Sequence, residues 1–410
     1  MKNFFRGILS LISFFIILGV LFLGILLGVK LYSNGGQITD LDLDELIEVR
    51  SISDFKNWYY GEVSEIVVGE PVVVESISYD RYAYQQLDET TQKVYDQLLD
   101  CVMNHTESIS LLSKDVDVLS KAYEAMVADY GNLFWISGYQ YNTYKSGDTV
   151  IGLDFSPKYT MDYEQRRIYQ EMIDTVCDEW LSGLDYNATD YDKAKYIFEI
   201  LINNVDYDLN SEDNQNIISV FINRTTVCQG YADAAWYLLN ELDIPCTIIT
   251  GEANGESHAW NLIYLDNAYY YMDVTWGNSK YLNLDNSTEK RINYAYLAMT
   301  TEELCQTHTI TSSFEVPECL SNMDNYYVHS GLYFDVFDVS SIGQTLGNSY
   351  KSGEDEISIK FASSDIFNQV IDYFLEEQHL GEYCTGITSI YYILDDNANV
   401  ITIQWTTCSQ

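Results

Sequence analysis

One cysteine, one histidine and one aspartate follow each other in an order that suits thiol chemistry. Cys228 stands at the start of a predicted helix, and His258 and Asp273 stand on two predicted neighbouring strands. A thiolate is the nucleophilic form of cysteine, an imidazole can move a proton, and a carboxylate can hold that imidazole in one orientation. These residue types therefore predict acyl transfer through a thioester, with Cys228, His258 and Asp273 as the catalytic residues.

The helix that carries the cysteine is predicted from a stripe of apolar side chains. They recur at steps of four and three, which would bury one helix face: Cys228, Ala232, Ala235, Leu239 and Leu242. Thr225 or Thr226 is expected to cap the first turn, and Pro245 to end the helical stretch. Because the free amides of a first helical turn favour an anion, this position favours a thiolate. The backbone amide of Cys228 is the first candidate for an oxyanion donor.

Three strands are predicted after this helix, over Cys246–Gly251, His258–Leu265 and Ala268–Trp276. The turns between them are predicted at Asn254-Gly255 and at Asp266-Asn267.

The second turn sets the positions of the histidine and the aspartate. If Leu265 opposes Ala268, then Asp273 opposes Trp260. His258 and Asp273 would then share one face of the sheet as diagonal neighbours, about 7–8 Å apart at the backbone. A slip of one residue would place them on opposite faces.

Each of these residues also has a plainer interpretation. A cysteine on an apolar helix face is usually a core residue, and a lone histidine in a strand usually has no catalytic role. The joint pattern favours a site, and so does Asp273, because a buried carboxylate without a partner is costly. The other histidines lack such neighbours and are interpreted as ordinary residues: His105, His308, His329 and His379. Gln229, Trp260 and Trp276 are candidate substrate-pocket residues, with turn capping and core packing as the alternatives.

The same stretch resembles a known family. The motifs Cys-Gln-Gly-Tyr, His-Ala-Trp and Asp-Val-Thr-Trp contain Cys228, His258 and Asp273. Together they resemble the core of the transglutaminase-like superfamily, a branch of the papain-like thiol enzymes, over about residues 190–276. The resemblance implies an α+β fold in which the cysteine helix packs on an antiparallel sheet. It also implies action on protein or peptide amides through a thioester, with no cofactor.

The outcome of that chemistry stays open at this point. Cross-linking, deamidation and hydrolysis by a cysteine peptidase would all use the same residues. A non-catalytic surface interaction or scaffold module that retains the fold is the alternative of a different class. No cysteine and histidine spacing predicts a zinc site, so no metal is expected.

The charge balance restricts the partners. Among 410 residues, 21 are basic and 62 are acidic, which gives a formal net charge of −41. This balance argues against binding nucleic acid or an anionic membrane surface. It suits an extracellular surface, and the expected substrates are cell-surface or cell-wall proteins or peptides.

The stretch from Gly7 to Val29 is uncharged and almost wholly apolar, which is long enough to cross a bilayer. Lys2 and Arg6 precede it, so we expect a retained signal-anchor with its N-terminus in the cytoplasm. A cleaved secretory signal is the alternative. The predicted location is thus the cell membrane, with a single span and an extracellular catalytic part.

Five regions are predicted in total. They are a cytoplasmic tip and span (1–32), an extended stalk (33–79), a mixed α/β extension (80–189), the transglutaminase-like core (190–310) and a small C-terminal α+β domain (324–410). The extension should contain helices over Thr90–Met103, Val116–Tyr130 and Tyr163–Leu184, and a hairpin turn at 146–148. The C-terminal domain should contain a helix over Ser363–Glu377 and a hairpin near Asp395–Ala398. The candidate disulfide pairs are Cys305–Cys319 and Cys384–Cys408, with Cys246 expected as a core thiol.

Overall fold

The computed structural model describes residues 81–278 and 291–407. All of these residues belong to one compact unit, Ile66–Gln410. The predicted membrane span and stalk lie outside the described residues. Within the described ranges, no helix combines the length and the apolar character that crossing a membrane requires.

The first part of the described chain is a helical layer beside a small sheet. Its helices are α1 (Tyr82–Gln85), α2 (Glu89–Met103), α3 (Val116–Asp129) and α4 (Tyr163–Leu181). Its strands are β1 (Ile109–Ser110), β2 (Ile136–Ser146) and β3 (Thr149–Tyr159), in the antiparallel order β1-β3-β2. The three predicted helices are confirmed to within three residues. The predicted turn is confirmed as well, with Ser146 opposite Thr149 and Gly147 at a φ of 62°.

The second part carries the predicted core. It begins with α5 (Asp190–Asn204), β4 (Asp206–Tyr207), a π-helical turn (Ser219–Asn223), β5 (Thr225–Thr226) and α6 (Cys228–Glu241). It continues with β6 (Cys246–Ala253), β7 (Glu256–Leu265), β8 (Ala268–Met272), α7 (Val274–Gly277), a 3₁₀ turn (Tyr294–Tyr296), α8 (Thr301–Leu304) and β9 (His308–Ile310). The four strands β6 to β9 form one antiparallel sheet in the order β8-β7-β6-β9. Helix α6 packs on β6 and β7, so the expected helix on an antiparallel sheet is present.

The predicted hairpin register is confirmed, but its second strand is shorter than predicted. Leu265 pairs with Ala268, and the ladder continues to the pair Asn261 and Met272. Beyond Met272 the chain turns into helix α7, so the predicted strand to Trp276 is wrong over its last four residues. The reason is local, because the Asp273 side chain accepts a hydrogen bond from the Trp276 amide and caps that short helix.

The cysteine helix α6 is more deeply buried than its apolar stripe predicts. Every residue from Gly230 to Asn240 is buried, because the helix packs on the sheet and also on α5 and α7. Val227 precedes the helix, and no side chain caps it. The predicted cap was wrong because Thr226 lies in β5, where its hydroxyl hydrogen-bonds the Ser219 hydroxyl at 2.6 Å. The helix ends at Glu241, before Pro245 as predicted.

The last part of the chain has its own sheet. Its elements are α9 (Tyr326–His329), β10 (Tyr333–Phe334), α10 (Val339–Ser352), β11 (Glu356–Phe361), α11 (Ser364–Val370), a π-helical turn (Ile371–Glu376), α12 (Leu380–Tyr383), β12 (Ile387–Asp395) and β13 (Val400–Thr407). The sheet order is β10-β11-β13-β12, with β10 parallel to β11 and the other pairs antiparallel.

Two apolar cores hold these parts together. The first core extends from Ala83 to Tyr327 and also includes Val400, and so joins the N-terminal helices to the sheet β6 to β9. The second core contains Ile342, Phe361 and Trp405 among others, and it belongs to the C-terminal sheet.

The cysteines in the described ranges are free thiols, including both members of the candidate pair Cys305 and Cys319. That predicted disulfide is therefore absent. Cys305 is exposed, whereas Cys319 and Cys246 are buried. Cys384 is a buried free thiol, and its predicted partner Cys408 lies outside the described residues.

A glycine in the first turn of α6, Gly230, allows a test of this close packing. A Cβ atom at Gly230 would overlap the Thr226 hydroxyl and lie 2.8 Å from the Ser219 oxygen. Glycine to alanine inside a helix normally stabilises by about 1 kcal/mol. Here we expect Gly230→Ala to lower the free energy of unfolding by about 1–3 kcal/mol instead, because the two hydroxyls are hydrogen-bonded to each other and overpacking costs this much.

Urea unfolding of the full chain measures that difference. Gly381→Ala is the matched control, since Gly381 also lies in a helix but a Cβ there would have no neighbour within 4 Å. A Gly230→Ala protein as stable as the wild type would show that the Thr226 and Ser219 contact is loose.

Candidate active site

Asp273 is a buried carboxylate at the centre of a hydrogen-bond network. Its Oδ2 atom lies 2.8 Å from Nε2 of His258 and 3.1 Å from Nε2 of His308. Its Oδ1 atom accepts from the Trp276 amide at 3.0 Å. Because an ionised carboxylate only accepts hydrogen bonds, both ring nitrogens must carry a proton and donate to it.

The ring of His258 connects this carboxylate to the cysteine. Its Nε2 atom is engaged by Asp273, so Nδ1 is the nitrogen that remains for Cys228. The Cys228 side chain lies close enough to the His258 ring to contribute to the raised pKa of that histidine. Cys228 is half-buried at the first position of α6, whereas His258 is buried on β7. The structure thus brings the three predicted catalytic residues together in the predicted order of contact.

The charges of His258 and Asp273 determine the protonation of each other's side chains. Burial lowers the pKa of His258, but the charge of Asp273 and its hydrogen bond, with a contribution from Cys228, outweigh burial and raise that pKa to about 10. Burial likewise acts to raise the pKa of Asp273, but His258 and His308 hold it well below its usual range. At neutral pH the pair is therefore an imidazolium and a carboxylate.

The sequence predicts that His308 is an ordinary residue without catalytic neighbours. In the structure, it lies beside Asp273. It lies on β9, where it pairs with Ala253 of β6, while His258 of β7 pairs with Gly251 of β6. The two histidines therefore face the same side of the sheet, and their ring centres are 5.4 Å apart. The Thr-His-Thr-Ile run at 307–310 could have indicated a short strand, but nothing in the sequence tells which strand it joins.

Curvature of the sheet is what lets His308 reach Asp273. His308 lies on the edge strand β9, and Asp273 directly follows β8 at the opposite edge. In a flat sheet these two strands would be about 14 Å apart. Their side chains nevertheless meet at 3.1 Å. Glycine at 251 lets β9 approach closely, because a Cβ there would overlap the Thr309 carbonyl oxygen and lie 2.7 Å from the Trp260 ring.

The candidate pocket tryptophans enclose both histidines. The ring centre of Trp260 lies 5.9 Å from that of His258 and 5.1 Å from that of His308. The ring centre of Trp276 lies 6.3 Å and 4.7 Å from the same two rings. Both indoles are buried, so they shield the charged pair from water.

The third candidate pocket residue, Gln229, is tied to its own helix. Its side-chain amide donates to Asp233 at 2.8 Å, one turn further along α6. Burial raises the pKa of Asp233 well above its usual value, and the hydrogen bond from Gln229 opposes this only in part.

Two tyrosines support the segment that follows Asp273. The Tyr296 carbonyl accepts from the Asp273 amide at 2.9 Å, and its ring meets that of Trp276 edge-on at 5.4 Å. Tyr294 stacks on Tyr326 at 3.9 Å and donates to Glu199 at 2.6 Å. These contacts place Asp273 through its backbone as well as through its side chain.

His258, Asp273 and His308 are also the kind of residues that bind metals, and their donor atoms lie within 4.8 Å of one another. However, both ring nitrogens point to the same carboxylate oxygen at hydrogen-bond distances. An ion would have to displace both hydrogen bonds in a site closed off by two indoles. The arrangement therefore fits a hydrogen-bond network better than a metal centre.

Comparison with known proteins finds a family match over part of the chain. Residues 181–274 match the family model of the transglutaminase-like superfamily. The human kyphoscoliosis peptidase is 26% identical over an alignment of 136 residues, which covers 28% of this chain and 21% of that relative. The chain thus spans about a fifth of that relative's length.

Two solved structures are also similar. A crystal structure of a TGase has a TM-score of 0.26 and 14% identity, and the match covers 38% of this chain and 47% of the other. A putative cysteine protease from Cytophaga hutchinsonii has a TM-score of 0.23 and 14% identity, covering 33% and 62%. With the family match over residues 181–274, the chain carries a core domain of the transglutaminase-like superfamily.

Proposed function

We propose that this chain is a thiol enzyme that acts on protein or peptide amides through a thioester on Cys228. The observation that supports the proposal best is the row of neighbouring side chains Cys228, His258 and Asp273, which we call the relay. Cys228, at the start of a helix, lies beside His258 and contributes to its raised pKa, and Nε2 of His258 donates to the buried Asp273. This is the arrangement that activates a nucleophile and orients its proton carrier.

The protonation of His258 defines the first step. The positive charge of the His258 imidazolium beside the sulfur is what activates Cys228 as the nucleophile. The sulfur then attacks the carbonyl carbon, and the backbone amide of Cys228, at the first turn of α6, is the proposed donor to the oxyanion. When the C–N bond breaks, His258 gives its proton to the leaving nitrogen, and a thioester remains on the sulfur.

The acceptor determines the product. Neutral His258 takes a proton from water or from a primary amine, which attacks the thioester carbon, and the C–S bond breaks. Water yields hydrolysis or deamidation, whereas a lysine amine yields an isopeptide cross-link. The net charge of −41 favours cationic acceptors over anionic ones.

A reactive ester tests the thioester without knowledge of the natural substrate. The full chain is mixed with 4-nitrophenyl acetate, and acetylated residues are identified by mass spectrometry. We expect a burst of nitrophenol of about one equivalent and an acetyl group on Cys228, both absent in Cys228→Ala, because a covalent thiol intermediate accumulates in this way. Added primary amine or water then competes for the acetyl group and separates transferase from hydrolase.

The exposed thiol of Cys305 serves as the internal control. Acetylation of Cys228 no faster than that of Cys305 would reject the enzyme and leave a non-catalytic surface module.

We also propose that this domain acts outside the cell, held by a single membrane span. The apolar stretch from Gly7 to Val29 and the acidic composition support this location. A membrane-impermeant maleimide applied to intact cells should label Cys305. Labelling only after lysis would contradict it.

A further inference from the structure

Asp273 has one more partner than the relay of the proposed function requires. A carboxylate that orients one imidazole needs only that ring, yet Oδ2 lies between two rings, at 2.8 Å from His258 and 3.1 Å from His308. The His308 side chain is wholly buried, and burial of such a polar ring is costly unless both nitrogens are satisfied.

The second nitrogen of His308 is satisfied by the residue before it. Its Nδ1 atom lies 2.8 Å from the Thr307 hydroxyl. Because Nε2 must carry a proton to donate to the carboxylate, a neutral His308 has Nδ1 as an acceptor, and the rotatable Thr307 hydroxyl can donate to it. Thr307 thus fixes the tautomer of His308, as an outer partner does for a histidine that binds a metal.

We infer that His308, held by Thr307, is a positioning residue that orients the Asp273 carboxylate toward His258 and keeps it ionised. This inference rests on the proposed function, because it assigns a role within the same relay. His308 touches neither Cys228 nor a substrate in this role and acts only through Asp273.

The titratable groups around Asp273 explain why the hydrogen bond from His308 affects the protonation of this carboxylate. The titratable groups that face it are His258 from β7, His308 from β9 and Tyr296 from the 3₁₀ turn, with Cys228 of α6 beyond His258. Of these, His258 and His308 lower the pKa of Asp273 against the effect of burial. Without His308, the carboxylate should take up a proton at a higher pH and then lose its hold on the His258 imidazolium.

The test is the rate at which iodoacetamide alkylates Cys228 in the full chain as a function of pH. Site-resolved mass spectrometry follows Cys228, with Cys305 as the internal reference. We expect His308→Leu to move the acid limb of this profile up by about one pH unit, and so to lower the rate about tenfold at pH values below both limbs, since losing one hydrogen bond to a charged group typically changes an equilibrium by a decade or more.

Two conservative variants separate positioning from simple packing. His308→Gln keeps a side-chain donor and should stay within about threefold of the wild type, because the donor rather than the ring is required. Thr307→Val keeps the shape of the side chain but removes its hydroxyl. It should therefore shift the acid limb of the alkylation profile in the same direction as His308→Leu, by a smaller amount. Thr309→Val, at an exposed position on the same strand, is the matched control and should change nothing.

The outcomes distinguish this inference from the proposed function. If His308→Leu and Thr307→Val keep the wild-type profile while His258→Ala loses it, the relay stands and the role of His308 is rejected. If Cys228 reacts no faster than Cys305 in the wild type, the proposed function itself fails. Should His308→Leu not fold, the shift in Thr307→Val decides the question by itself.

Discussion

Replacing His258 by alanine is expected to slow the alkylation of Cys228 at pH 6 by about tenfold. A thiol with an ordinary pKa of about 8.5 is only about 0.3% thiolate at this pH. The imidazolium of His258, with its pKa raised to about 10, places a positive charge beside the attacking sulfur. Because a thiolate of lower pKa is also a weaker nucleophile, the two rates should differ by about tenfold, well below the ceiling of about three hundredfold that the thiolate fraction sets.

The chain offers internal and external controls for this experiment. Cys305 is exposed and should react at the same rate in both proteins. His379→Ala removes a histidine that pairs with Glu382 in the C-terminal part, and it should leave the rate at Cys228 unchanged. Equal rates at Cys228 in the wild type and His258→Ala would show that the ring does not activate the sulfur.

Replacing Asp273 by asparagine should remove the activation of Cys228 and should also lower the free energy of unfolding. The carboxylate accepts from two imidazoles on one oxygen and from the Trp276 amide on the other. An asparagine side chain has one acceptor oxygen and one donor NH₂ group. In either orientation, this NH₂ group would face at least one of the three groups that donate to Asp273. We expect the free energy of unfolding to fall by about 3–5 kcal/mol, as for a broken buried ion pair, and the alkylation of Cys228 to fall as far as in His258→Ala.

The same variant should change how stability depends on pH. The lowered pKa of Asp273 adds stability that is present above pH 4 or so and is lost as the pH falls through the folded-state value. The raised pKa of His258 adds stability that is complete below about pH 6.5 and is lost as the pH rises toward 10. Urea unfolding should therefore show a decline in wild-type stability between about pH 6.5 and 10 that is much weaker in Asp273→Asn.

A second buried aspartate provides the matched control. Asp129 also accepts three hydrogen bonds, from the amides of Ala83 and Tyr84 and from the Tyr95 hydroxyl. Asp129→Asn should reduce stability without slowing the alkylation of Cys228. If it slowed the alkylation as much as Asp273→Asn does, general loosening of the fold, rather than the His258 pair, would explain the result.

The sequence by itself determined the local part of this site. A two-residue turn at Asp266-Asn267 fixes the register of the following hairpin, and both residues have the positive φ values, 45° and 71°, that such turns require. Because strand side chains alternate, this register predicts His258 and Asp273 on one side, although Asp273 follows the last residue of β8 and caps α7. The periodic apolar residues of α6 likewise locate Cys228 at a helix start, since helical spacing is a property of neighbouring residues.

Only the tertiary structure decided which residues surround His258 and Asp273. The partner of β9 is β6, which lies far from it along the chain, and no local rule selects such a pairing. The full burial of α6 and the loss of Thr226 as a cap have the same origin, because other elements supply those contacts. His308 was overlooked because it joins the carboxylate through strand order and sheet curvature, which depend on how the whole chain packs.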